Sequence, residues 1–328
     1  MNNRRKLVIA LGAGALTVPF DSVAQLQRKV WRIGFLSPYP SDSDQQLPAF
    51  KQQLRDSGHV EGKTFTIDYL SAEGDYDRLP ALASDLVKRN VDVILAAGGT
   101  PAAIPAKNAT RTIPVVFVGV ADPVGQGIVA SLARPGGNVT GISSQQLETA
   151  DRSLALLKET IPSANRVVIL SNPTNLSLAP VVKQVLAAGK TLRLDLTVIN
   201  VKAPGELEEA FAEIARIRPA GVVILVDAMF QNEAARITAL AAKFSLPTMG
   251  GHNVIPEAGG LMSYGSNRLD LVRLAAILVE KILKGAKPGD LPIQQPTKFD
   301  LVINMKTAKT LGIKIPNAVM VQATRVIK

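Results

Sequence analysis

The chain has 328 residues, no cysteine, a formal net charge of +10 and 4% aromatic residues. The missing thiol excludes disulfides, thiol nucleophiles and sulfur-ligated metals together. The basic balance raises nucleic acid as a partner. However, the lysines and arginines are scattered through helical segments with no dense cluster and almost no interleaved aromatics, so no nucleic-acid partner is expected.

Arg4, Arg5 and Lys6 lead an apolar run from Leu7 to Val18, and Ser22-Val23-Ala24 places small residues where a signal peptidase reads. This order predicts a secretory signal cleaved after Ala24 and a periplasmic mature protein. The run is far short of the roughly 20 apolar residues that cross a bilayer. The pair Gly12 and Gly14 lies inside this signal, with no strand before it and no third glycine, so it is no dinucleotide site.

Beyond the signal, short apolar runs alternate with amphipathic segments. Val30–Leu36, Phe65–Leu70, Val91–Leu95 and Val115–Val118 read as strands, and so do Val167–Leu170, Leu194–Ile199 and Val222–Val226. Several are continuously apolar, which suits strands covered on both faces. Asp77 is placed to cap a helix whose Leu79, Leu82, Ala83 and Leu86 share one face, with Pro80 in its first turn. Asn267 opens another, in which Leu271, Leu274, Ala275, Leu278 and Ile282 align before Gly285.

The alternation pauses at Arg134–Asn138, passes through Val139–Ser143 and restarts. Met262–Gly265 reads as a second crossing and Gln295–Lys298 as a third. Strand–helix alternation implies parallel sheets. The expected architecture is α/β, two doubly wound parallel-sheet lobes joined by a multi-strand hinge. Residues 25–141 plus 266–295 would form lobe 1, and 142–265 plus 296–328 lobe 2.

In open parallel sheets ligands bind beyond the carboxyl ends of the strands. Small polar residues follow several strands here: Ser37, then Gly99-Thr100-Pro101, Ala121-Asp122, Asn172 with Asn175, and Asp227. Thr100 with Pro101 reads as a helix N-cap and first-turn pair whose free N–H groups favour a carboxylate. Capping alone is the competing account for Thr100, Asp122 and Asn172. Asp227 ends an apolar strand, where its carboxylate needs a partner. A ligand ammonium and a local helix cap both meet that need. His59 and His252 are far apart and in Gly-flanked turns, without metal-ligand spacing. No nucleophile elbow or phosphate loop occurs, so no catalytic residues, metal or cofactor are expected.

Segments spread over nearly the whole mature chain carry a resemblance. They include Arg32–Leu36, Gly58–Lys63, Gly99–Ala103, Asp122–Gly125, Ser131–Gly141, Asn172-Pro173, Glu257–Gly265, Lys281–Pro288, Gln295–Phe299 and Leu301–Asn304. The chain resembles the ABC transporter substrate-binding family of the tryptophan-binding type, which has the type I periplasmic-binding fold. The resemblance implies a monomeric binder that closes on a small solute, most simply an amino acid, and delivers it to an inner-membrane permease and ATPase. It also implies a cleft lined at Thr100, Asp122, Asn172 and Asp227, with Tyr264 added at the second crossing. Ala228 departs from the aromatic-binding pattern, where a small polar residue is common. A ligand-sensing protein for a membrane receptor and a hydrolase or transferase are the competing functions.

Overall fold

The computed structural model describes residues 29–42 and 44–328; the expected signal, Met1–Ala24, lies outside them. In chain order the first part comprises β1 (Trp31–Ser37), α1 (Gln46–Asp56), β2 (Phe65–Ser71), α2 (Leu79–Lys88), β3 (Val93–Ala97), α3 (Thr100–Ala109), β4 (Val115–Val120) and β5 (Val139–Ser143). Next come α4 (Gln146–Thr160), β6 (Arg166–Ser171), α5 (Leu178–Thr191), β7 (Asp195–Asn200), α6 (Leu207–Ile217), β8 (Gly221–Ile224), α7 (Ala228–Asn232) and α8 (Ala234–Lys243). The chain ends with β9 (Thr248–Gly250), α9 (Val254–Glu257), β10 (Met262–Ser266), α10 (Arg268–Leu283), β11 (Phe299–Asn304), α11 (Met305–Thr310), α12 (Asn317–Met320) and β12 (Arg325–Ile327).

Two sheets result. The first is all parallel, in the order β2-β1-β3-β4-β5; the second runs β12-β11-β10-β9-β8-β6-β7, parallel except where β10 meets β11. Each sheet is covered on both faces, because its apolar strands alternate between two cores. Ile33 and Phe35 of β1 pack with Phe50 of α1 and Leu271 of α10, whereas Leu36 turns the other way onto Leu79 of α2 and Ala102 of α3. Val167 and Ile169 of β6 meet α4 and α5, while Val168 and Leu170 meet Phe211 of α6 and Ile237 of α8. The doubly wound α/β architecture expected from the sequence is therefore the one formed. Each sheet with its helices is one lobe.

The chain passes between sheets three times. It leaves the first after β5, returns with α10, and crosses again between Gln294 and β11. The first and third passages lie side by side: Ser143 N donates to Gln294 O at 2.9 Å, and Gln294 N donates to Gly141 O at 3.0 Å. Helix α10 is tied firmly to the first lobe. Leu271, Val272, Ala275, Ala276, Leu278, Val279, Ile282 and Leu283 are all buried, a broad stripe because α10 lies between the sheet and α1. Each large aliphatic side chain buried in this way contributes about 1.5–3 kcal/mol.

Helix starts follow the residues unevenly. Asn267 caps α10 as expected, accepting from Leu269 N and Asp270 N. Ahead of α2 the cap is Asp75, which accepts from Asp77 N at 3.0 Å and opens a single 3-10 turn, so Asp77 is not the capping residue. Val139–Ser143 and Met262–Gly265 are more than crossings. They are paired strands, β5 at the edge of the first sheet and β10 within the second. The short strand β9 and the carboxyl-terminal pair β11 and β12 complete the second sheet.

Candidate functional site

The carboxyl ends of the two sheets face each other across a narrow cavity of about 40 Å3. From the first lobe come Tyr39, Gln46, the Gly98–Pro101 turn, Gly119, Arg268 and Leu271; from the second come Gln146, Asn175, Ser177, Val226–Ala228, Gln231 and His252. Ser144 lies at the passage between them.

The turn into α3 depends on glycine. Gly98 and Gly99 have φ of +132° and +73°, and a Cβ on Gly98 would lie 2.3 Å from Pro38 Cδ. Gly99 is therefore the N-cap and Thr100 the first helical residue, a correction to the expected Thr100 cap. A β-branched residue is poorly suited to that left-handed position. The Thr100 hydroxyl instead donates to Gln126 Oε1 at 2.6 Å.

Asp227 is 2% exposed, and its carboxylate is saturated from within the chain. Oδ1 accepts from Asn172 Nδ2 at 3.2 Å and from Met229 N at 2.9 Å; Oδ2 accepts from Tyr76 Oη at 2.8 Å and Asn175 Nδ2 at 2.9 Å. The residue is the N-cap of α7. Burial raises its pKa, and the bonds from Asn175, Asn172 and Tyr76 work against that. A ligand ammonium is thus not required to balance this carboxylate; the capping account is the one the geometry shows.

The bond from Tyr76 also joins the lobes, since Tyr76 follows β2 and Asp227 follows β8. Three further bonds do the same at α7. Ala228 N donates to Tyr76 Oη at 3.1 Å, Arg268 Nη1 to Gln231 Oε1 at 3.1 Å, and Tyr39 Oη to Gln231 Oε1 at 3.5 Å. Desolvation, with Asp227 beside it, raises the Tyr76 phenol far above its ordinary pKa, so it stays a donor.

Two buried polar atoms on this cavity have no partner among the described residues: Ser144 Oγ and Gln146 Nε2, on residues that are each 6% exposed. They stand at the start of α4, where Gln145 is left-handed (φ 52°) and caps nothing with its side chain. Unpaired polar groups in such a place are costly and uncommon. His252, after β9, is held neutral; burial and the Arg268 charge lower its pKa to about 4.

Of the residues expected at the cleft, Gly99, Thr100, Pro101, Asn175 and Asp227 line the cavity together. Asn172 lies behind Asp227, facing a neighbouring hollow that Tyr76 also lines. Four others stand elsewhere. Ser37 is fully buried and donates to Asp44 Oδ2 at 2.6 Å, and Ala121 is buried outside the cavity wall. Asp122 closes a turn by accepting from Gly125 N at 2.8 Å, and Tyr264 on β10 stacks on Phe299. Sequence reasoning missed Ser144, Gln146, Gln231, His252 and Arg268. The sequence does show that Ser144 and Gln146 follow an apolar segment, but that segment reads as a linker.

The sequence profile described as ABC transporter substrate binding protein matches residues 40–327. The chain belongs to this family. Among its relatives, a tyrosine-binding protein of Clostridioides difficile strain R20291 is 26% identical over 282 residues, 86% of this substrate-binding protein and 80% of the relative. A Streptococcus pneumonia ABC domain in complex with L-Trp superposes with a TM-score of 0.83 at 25% identity, covering 91% of this chain and all of that one. The ligand-free, open structure of a Clostridium difficile substrate-binding protein with adhesive properties gives 0.66 at 24% identity, with the same coverage. The substrate-binding protein thus has the type I periplasmic-binding fold.

Proposed function

We propose that this protein is the solute-capturing component of an ABC importer, and that it closes its two lobes around an α-amino acid with an aromatic side chain. The observation that carries the reading is the pair of orphaned polar atoms, Ser144 Oγ and Gln146 Nε2, on two residues that line a cavity between two sheet ends. A solute bonded there would satisfy both. The amino-acid class is supported by the names of the relatives, one binding tyrosine and one in complex with L-Trp.

Closure by hinge movement is supported by two facts. The four bonds onto Asp227, Ala228 and Gln231 join the lobes directly. The superposition is also better on the L-Trp complex than on the open relative, at nearly equal identity and coverage. Three passages between the sheets suit a hinge that bends without unfolding either lobe. Lobe 1 then runs to the end of β5 at Ser143 and resumes with α10, and lobe 2 holds the second sheet and its helices, so the expected bounds at 141 and 266 move by one or two residues to keep β5 and β10 whole. The Gly99–Pro101 turn, Asn175 and the Asp227-capped α7 form walls of the site.

In this reading the chain is exported after cleavage at Ala24, works as a monomer in the periplasm and hands its solute to a permease and ATPase in the inner membrane. It binds without catalysing a reaction. Mass spectrometry of solute carried through native purification tests the proposal. An amino acid released on denaturation supports it; a sugar or nucleoside in stoichiometric amount contradicts the ligand class.

A further inference from the structure

Arg268 occupies an unfavourable position. It is the first residue of the 16-residue helix α10, where the helix dipole presents its positive end and a cation is repelled. The acid of that first turn, Asp270, is paired with Arg273 instead. Among the described residues no carboxylate pairs with Arg268. Its guanidinium lies 4.6 Å from the centre of the Tyr39 ring and donates to the neutral Gln231. A half-buried guanidinium without an anion is one that an anionic ligand would complete.

The remaining electrostatics of the cavity agree. Asp227 and Arg268 are the charged side chains on its wall. Asp227 has every acceptor position filled, and His252 next to Arg268 is neutral. The open charge of the site is therefore positive, and Arg268 supplies it. Because Arg268 also holds Gln231 of the opposite lobe, an anion bound to it is placed where the lobes meet.

We infer that Arg268 is the residue that pairs with the solute's carboxylate, bringing charge recognition and lobe contact into one side chain. The inference rests on the amino-acid reading above and names the group that recognises that class.

Calorimetry on the full mature chain tests it with L-tryptophan and L-tyrosine, each beside its neutral carboxamide. The wild type should prefer each acid to its amide. In R268Q the acid should fall to the amide's level, a loss of about thirtyfold or more, the least expected when one partner of a buried charge pair is removed. R268K, which keeps the charge but not the planar fork, should fall between the two and serves if R268Q does not fold. An acid preference undiminished in both variants overturns the inference while leaving amino-acid capture intact. A wild type that binds neither acid overturns the amino-acid reading, and this inference with it.

Discussion

The phenol of Tyr76 donates to Asp227 Oδ2 at 2.8 Å, joining residues 151 positions apart in sequence and on opposite lobes. Tyr76 Oη in turn accepts from Ala228 N, so one hydroxyl serves both the cap and the first amide of α7. If the lobes open, this bond is lost to water. Tyr76→Phe should therefore weaken solute binding by about 1.5–3 kcal/mol, the usual worth of a hydrogen bond to a charged group. X-ray scattering of the variant with solute should show a larger share of the open form. Wild-type affinity in Tyr76→Phe would mean that the bond does not belong to closure.

Asp227→Ala should act first on folding. It removes the cap of α7 and strands the amides of Asn172 and Asn175, for a loss of about 2–4 kcal/mol in denaturant unfolding without solute. A variant of unchanged stability that has lost solute affinity would instead put Asp227 in direct contact with the ligand.

Ser144→Ala and Gln146→Leu should behave in the opposite way. Neither orphaned atom has an intramolecular bond to lose, so unfolding without solute should be unaffected or slightly improved. Each should cost roughly 0.5–1.5 kcal/mol of solute affinity. Loss of stability with affinity intact would show that the two atoms serve the fold.

These contrasts show what the sequence could convey. The strands of both sheets that lie between helices are legible because apolar runs such as Val167–Leu170 are covered on both faces, and the Asn267 cap is legible because its bonds are local. The site is less so. β9 has three residues, too few for a periodic signal, so His252 at its carboxyl end reads as an ordinary loop residue. Arg268 stands where surface arginines are common, and its missing anion is visible only when the lobes come together. Asp227 is conspicuous in sequence, but its four donors come from three separate segments, and no local pattern shows them meeting.

His252 should give the folded protein an acid-side weakness. Its pKa is lowered from 6.5 to about 4, so below pH 6.5 the unfolded chain takes up a proton that the folded chain refuses. The stability this group contributes is complete above pH 6.5 and is lost progressively as pH falls to about 4. Unfolding free energies across that window should decline less in His252→Gln than in the wild type. Parallel profiles would place the histidine in water.

The central claim is that the two lobes close on an aromatic amino acid, and titration calorimetry of the mature, solute-stripped protein with L-tryptophan and L-tyrosine tests it most directly. The account predicts saturable one-to-one binding of at least one of them, with the negative heat-capacity change expected when apolar surface is buried. No heat and no saturation with either amino acid, from a folded sample, would contradict it.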